Sequence, residues 1–175
     1  LEDQTKKIDD MRVLTLSFLI PFGVFAQSKM DEPSRKHFWH TVTTSASPET
    51  VWTIWTDVSN WHTWDTGLQS ARMDDAFRLE AKGVLTSLEG RDTKFTVVAY
   101  EEGSSYTFKS ALPLGGLYVK RTLSEEDGKT VFTHEVWFQG LTAGIFARAF
   151  GDNFRAMLPE VMETVKAQAE TKDKP

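Results

Sequence analysis

Residues 46–65 read ASPETVWTIWTDVSNWHTWD, and the order of elements around this stretch decides the fold. Ser47 can cap a helix, Pro48 suits its first position, and Glu49 favours the positive end of the helix dipole. Val51, Trp52, Ile54 and Trp55 follow at helical spacing. Asp57 is a second cap, which predicts a short helical turn through Ser59, Asn60 and Trp61.

Towards the N-terminus, His37 to Ala46 (HFWHTVTTSA) is rich in β-branched and aromatic residues and reads as a strand. After Trp64 the periodicity changes. Segments near 69–74, 82–88, 92–101, 104–112, 116–124 and 129–139 alternate or carry β-formers. Turn signals separate the later ones: Glu89-Gly90-Arg91-Asp92, Glu102-Gly103-Ser104, Leu114-Gly115-Gly116 and Asp127-Gly128-Lys129. Connections this short force antiparallel neighbours, so the expectation is a seven-stranded meander.

A long helix closes the chain, from about Ala143 to Thr171. Phe146, Phe150, Phe154, Met157, Val161 and Val165 make one apolar stripe, widened by Leu158, Met162 and Ala169. Pro159 removes the backbone donor to the Arg155 carbonyl and predicts a bend. The tail from Lys172 to Pro175 is expected to fray. A one-sided sheet and a one-sided helix must bury each other, so the helix lies across the concave face of a curved sheet. One helix cannot fill such a hollow. Either large side chains plug it or a cavity remains.

This order, with Ala46-Ser47-Pro48-Glu49-Thr50-Val51-Trp52 and Thr56-Asp57-Val58-Ser59-Asn60-Trp61-His62-Thr63-Trp64-Asp65, resembles the START-like or helix-grip (SRPBCC) superfamily, in its polyketide cyclase/dehydrase-like branch. Phe138-Gln139-Gly140, before the Gly- and Ala-rich start of the long helix, also fits. The resemblance spans about 37–171. It implies an α+β helix-grip fold with a deep apolar cavity between sheet and C-terminal helix. Members bind lipids, sterols, polyketides or hormones, and some cyclise or dehydrate polyketides. No universal catalytic set carries over, because fold alone does not give function.

The composition agrees with one folded domain. The chain has 175 residues, 40% hydrophobic and 26% charged. Lys and Arg number 20 against 25 Asp and Glu, a net charge of −5, which leaves no broad basic face for nucleic acid. Cysteine is absent, which excludes disulfides, thiolate metal sites and a Cys nucleophile. Aromatics reach 12%, with 6 Trp, 12 Phe and 3 Tyr, so the interior is bulky, hollow, or both.

Residues 1–26 read as a leader and 27–36 as a linker to the domain at 37–171. From Met11 the chain runs MRVLTLSFLIPFGVFAQS, one Arg before an apolar run that ends Val24-Phe25-Ala26. The run is too short for a comfortable membrane span, which needs about 20 apolar residues. It has the layout of a secretory signal peptide cut after Ala26, implying a periplasmic or secreted protein, otherwise a cytoplasmic one. The alternative is an extra strand or helix packed on the domain.

Candidate chemistry is sparse. His37 and His40 point to opposite faces of their strand and read as surface residues. His62 sits between two tryptophans and either rims a cavity mouth or is incidental. His134 alternates with Phe132, Val136 and Phe138, which places it inward, and Arg121 alternates likewise with Leu117, Val119 and Leu123. Two ionisable groups facing an apolar interior are a polar anchor in a pocket or a mutually satisfied structural pair. Glu135 opposite Lys120 is expected to form a cross-strand pair on the outer face. Tyr106 and Phe108 look inward. Trp61 and Trp64 line the entrance or plug one end. Phe150, Phe154 and Met157 are core, and line any cavity that exists. The candidate ligand-binding set is therefore Trp61, Trp64, Tyr106, Phe108, Arg121, His134, Phe138, Phe150, Phe154 and Met157.

No G-x-S-x-G, H-E-x-x-H, G-x-x-x-x-G-K-[ST] or G-x-G-x-x-G occurs, and no cofactor or metal is implied. The leading expectation is a protein that binds or carries a small hydrophobic ligand. A polyketide cyclase or dehydratase, using His134 or Tyr106 with Arg121, is the alternative. A partner-binding module is a third reading, which a large exposed apolar patch would favour. Oligomeric state is not readable. Both ligand readings need open space beneath the helix.

Overall fold

The computed structural model describes residues 33–174. The leader, its cleavage site and most of the linker lie outside the described residues.

Seven strands form one antiparallel sheet: β1 His37–Thr44, β2 Leu68–Met73, β3 Lys82–Ser87, β4 Asp92–Glu101, β5 Ser105–Leu112, β6 Gly115–Glu126 and β7 Lys129–Gly140. The order across the sheet is β1-β7-β6-β5-β4-β3-β2. The meander therefore runs from β2 to β7 only, and β1 joins the far edge beside β7. The β1–β2 connection can cross the sheet because it holds two helices, α1 at Pro48–Thr56 and a 3-10 turn at Val58–Thr63.

The chain ends in an α-helical rod of three parts: α2 at Ala143–Phe146, a π turn at Ala147–Gly151, and α3 at Asp152–Lys172. The helix expected over 143–171 is present and continues through Pro159. Its departure from α geometry is the π turn, eight residues before that proline. The expected fraying of the tail is corrected at Asp173. Its carboxylate accepts the Ser47 N–H at 2.5 Å and the Thr50 hydroxyl, so the end of α3 clasps the start of α1.

Antiparallel pairing aligns side chains into rows on the concave face. One row runs His40, His134, Arg121, Tyr106, Tyr100. Another runs Phe138, Leu117, Ser110, Phe95, Gly83, Met73. Gly83 is a steric requirement: a Cβ there would sit 2.4 Å from the Phe95 ring. Phe95 in turn stacks on Trp61, centroids 5.6 Å apart at 22°. This curled sheet gripping a C-terminal helix, with short helices after the first strand, is the helix-grip fold.

On the convex face Lys120 does stand opposite Glu135 in register. The carboxylate, however, meets His37 Nε2 at 2.6 Å, because β1 lies on the other side of β7 and brings that imidazole closer.

Candidate functional site

The two ends of the hollow differ. At the end under α1 and the 3-10 turn it is filled with the protein's own rings. Trp55, Trp61 and Trp64 are all buried. Trp61 lies 5.5 Å from Phe108, and Tyr106 lies 4.5 Å from Phe77. Trp61 and Trp64, each 1% exposed, thus fill that end.

Arg121 is at the centre of this packing, 1% exposed. Its guanidinium carbon lies 4.6 Å from the Trp61 ring centre and 4.7 Å from that of Trp64. Trp55, Tyr106 and Phe108 surround it at 5.9, 5.6 and 5.7 Å. Facing electron-rich rings replaces part of the lost hydration of a cation. One Nη donates to the Tyr106 hydroxyl at 2.5 Å, and that hydroxyl donates to the Trp55 carbonyl at 2.7 Å. The same carbonyl accepts the Trp61 indole N–H at 3.0 Å. It belongs to the last turn of α1, where carbonyls lack helical partners, so the two donors cap the helix.

The polar accounting does not close. Arg121 Nε, Trp55 Nε1, Trp64 Nε1 and His134 Nδ1 are buried with no hydrogen-bond partner among the described residues. The first three can only donate. No carboxylate among the described residues closes to salt-bridge distance of Arg121. Asp65 is half-buried, accepts the Gly67 N–H at 3.1 Å, and feels the Arg121 charge. Burial raises the Asp65 pKa, and the Arg121 charge opposes that rise. Burial also pushes the Tyr106 hydroxyl up to about 12, against the pull of Arg121. His134 is held well below the ordinary histidine range, first by burial and then by the like charge of Arg121. It is a neutral imidazole beside a fixed cation.

Toward the other end of the concave face the apolar side chains are less completely buried. Leu117, Leu112, Leu85, Met73 and Leu68 pack on the core there but remain partly exposed. Phe154, 6.5 Å from Phe138, and Met157, against Gly67, face them from α3. Phe146 stacks on Phe150 at 6.3 Å, and Phe150 is 43% exposed, so it departs from the core position expected of it. This apolar lip adjoins the Phe138 row, two rows from His134 and Arg121.

The ten candidates thus divide. Trp61, Trp64, Tyr106, Phe108, Arg121, His134 and Phe138 are buried together on or against the concave face. Phe154 and Met157 form part of the lip, and Phe150 lies outside it. His62 is exposed on the 3-10 turn. Sequence reading did not single out Trp55 or Asp65 for the site, and it read His40 as a surface residue, whereas His40 lies half-buried in the concave-face row beside His134. Trp55 was detectable, since helical spacing already put it on the buried side of α1. Asp65 and His40 were not, because their roles depend on sheet curvature and on β1 pairing with β7.

A surface groove of about 550 Å3 lies between the 3-10 turn and the last turns of α3; Asp57, Asn60, Thr164 and Gln168 help to line it, and the buried Ile54 and Trp64 form part of its wall. Among the described residues no group of three or more His, Asp or Glu is placed to hold a metal ion.

A curled sheet gripping a C-terminal helix around a buried polar centre defines a protein of the helix-grip class. The family described as polyketide cyclase / dehydrase and lipid transport matches residues 35–170. The chain belongs to that family. No curated protein matches it. Among solved structures it resembles a hypothetical protein from Helicobacter pylori, with TM-score 0.65 and 11% identity over 80% of this chain and 91% of that one. A protein from Arthrobacter aurescens gives TM-score 0.61 at 16% identity, covering 80% and 90%. The di-domain aromatase/cyclase StfQ of the steffimycin biosynthetic pathway gives 0.60 at 15%, covering 78% of this chain and 51% of that one. Identities this low establish the fold alone.

Proposed function

We propose that this protein binds a small, largely apolar molecule carrying a hydrogen-bond acceptor at one end, such as a carboxylic acid or a polyketide-like carbonyl. The carrying observation is the set of buried donors around Arg121 that have no acceptor. Leaving such donors unpaired costs about 1–3 kcal/mol each. A ligand oxygen reaching this cluster would recover part of that cost. The apolar body would lie between Leu112, Leu117, Phe154 and Met157, where side chains are partly exposed. The lipid-transport part of the family description supports the same reading.

The test is native mass spectrometry of the purified protein, with solvent extraction of what it carries. A stoichiometric bound lipid or polyketide-like acid is expected. Ligand-free protein that also takes up no fatty acid, sterol or aromatic polyketide would overturn the reading.

Cyclase or dehydratase chemistry is a second reading, favoured by the neutral His134 beside the Arg121 cation. The imidazole would take a proton, and the guanidinium would stabilise the developing oxyanion. A bound molecule recovered chemically unchanged after prolonged incubation would argue for carriage over turnover.

A further inference from the structure

Seven large apolar side chains are exposed among the described residues, and four of them fall on neighbouring segments: Leu114 at 73%, Leu141 at 88%, Ile145 at 68% and Phe150 at 43%. Leu114 lies in the β5–β6 turn and Leu141 between β7 and α2, and the Leu141 N–H donates to the Leu114 carbonyl at 3.0 Å. Leu114 also holds φ +54°, a left-handed conformation that a γ-branched side chain rarely takes. At Asp127-Gly128 the chain meets the same demand with ordinary turn residues. An aliphatic side chain kept in a strained and exposed position points to a use for it.

The charge around this end runs against the rest of the molecule. The chain carries −5 overall, yet segments 33–36, 112–116 and 139–150 hold Arg35, Lys36 and Arg148 and no Asp or Glu. These three cations line a notch of about 430 Å3 together with Leu141, Gly144 and Ile145. Arg35 also bridges to Asp152 at 2.8 Å, which leaves Lys36 and Arg148 unmatched by that contact. The strap holding Arg35 is fixed to the π turn: a Cβ on Gly151 would lie 2.3 Å from the Arg35 carbonyl oxygen. Only glycine permits that approach, so the cations are anchored beside the aliphatic tips.

We propose that this end of the molecule docks on an anionic phospholipid bilayer, with Leu114, Leu141 and Ile145 entering the acyl boundary and Lys36, Arg148 and Arg35 meeting lipid phosphates. Charge complementarity selects the occupant. An acidic protein is repelled by an anionic surface in most orientations and attracted only with this end foremost. Side chains as exposed as Leu141 protrude, which suits insertion into lipid. The surface adjoins Phe146 and the apolar lip, so docking would open the hollow toward the membrane. The docking itself does not depend on the hollow binding anything.

The experiment uses the full chain, so residues 1–32 are common to every variant. Co-sedimentation is measured with phosphatidylcholine vesicles and with vesicles that also contain phosphatidylglycerol. Retention on the anionic vesicles is expected, weakening as salt rises. The Leu141→Asp/Ile145→Asp and Lys36→Glu/Arg148→Glu pairs are each expected to lower it by about tenfold or more. Leu114→Asn relieves the turn, so it should fold at least as well and still bind less. Because the chain has no cysteine, a polarity-sensitive dye on Leu141→Cys should shift blue on anionic vesicles, while one on Leu88→Cys should not. No retention, equal retention of all variants, or tip variants that change self-association and leave vesicle binding intact would overturn the proposal.

Discussion

A guanidinium held between two indoles, with no carboxylate in contact, depends on every remaining hydrogen bond. Tyr106 accepts the one side-chain hydrogen bond that Arg121 makes among the described residues, and its own proton goes to the end of α1. Tyr106→Phe therefore leaves both the Trp55 carbonyl and an Arg121 donor weaker by one partner. We expect it to cost about 1–3 kcal/mol in urea unfolding, well beyond the loss of one hydroxyl at the surface. His134 gives a pH signature. Its native pKa lies below the ordinary 6.5, so the unfolded chain takes up a proton that the native protein refuses. The unfolded state then binds more protons, and stability falls as pH falls below about 6.5. The limiting slope for one such group is about 1.4 kcal/mol per pH unit. His134→Gln should flatten the stability profile between neutral and mildly acid pH by an amount approaching that slope. Profiles that fall in parallel would place His134 in a wetter site than the one described. That His134 and Arg121 face inward was readable from alternation with apolar neighbours. That their polar atoms lack partners was not, because it depends on which rings from α1 and the 3-10 turn arrive above them.

The helices show where local chemistry suffices and where it does not. Ser47 caps α1 as its sequence requires, accepting the Thr50 N–H at 3.2 Å. Ser47→Ala should lower stability by about 1 kcal/mol, measured as a shift in urea midpoint at constant slope. A change below a few tenths would mean that Asp173 alone secures this helix start. Asp173 escaped sequence reading because its partner Ser47 lies 126 positions away, and short-range pattern carries no such information. The π turn escaped for a related reason. It accommodates the close approach of Gly151 to Arg35, a tertiary contact that the apolar stripe does not encode. Strand positions were readable almost throughout, since two-residue periodicity and turn residues are local. The neighbour of β1 was not, because a connection long enough to hold two helices can reach either edge.

Taken together, the molecule has one closed end and one apolar lip. Aromatic residues fill the first, around the unpaired donors of Arg121, Trp55 and Trp64, and the second, two rows away, keeps partly exposed leucine, methionine and phenylalanine side chains. Aromatic richness predicted either filling or hollowness; the structure shows filling at one end and partly exposed apolar side chains at the other. The ligand recognition we propose rests on that division, with apolar surface supplying affinity and Arg121 supplying orientation. The most direct measurement is a fluorescence titration with cis-parinaric acid, an apolar chain ending in one carboxylate, on wild type and on Arg121→Met shown by circular dichroism to be folded. The account predicts saturable one-to-one binding to wild type and at least about tenfold weaker binding to the variant, the loss of one charge-assisted hydrogen bond. Absence of saturable binding to wild type, or equal affinity in both proteins, would contradict it.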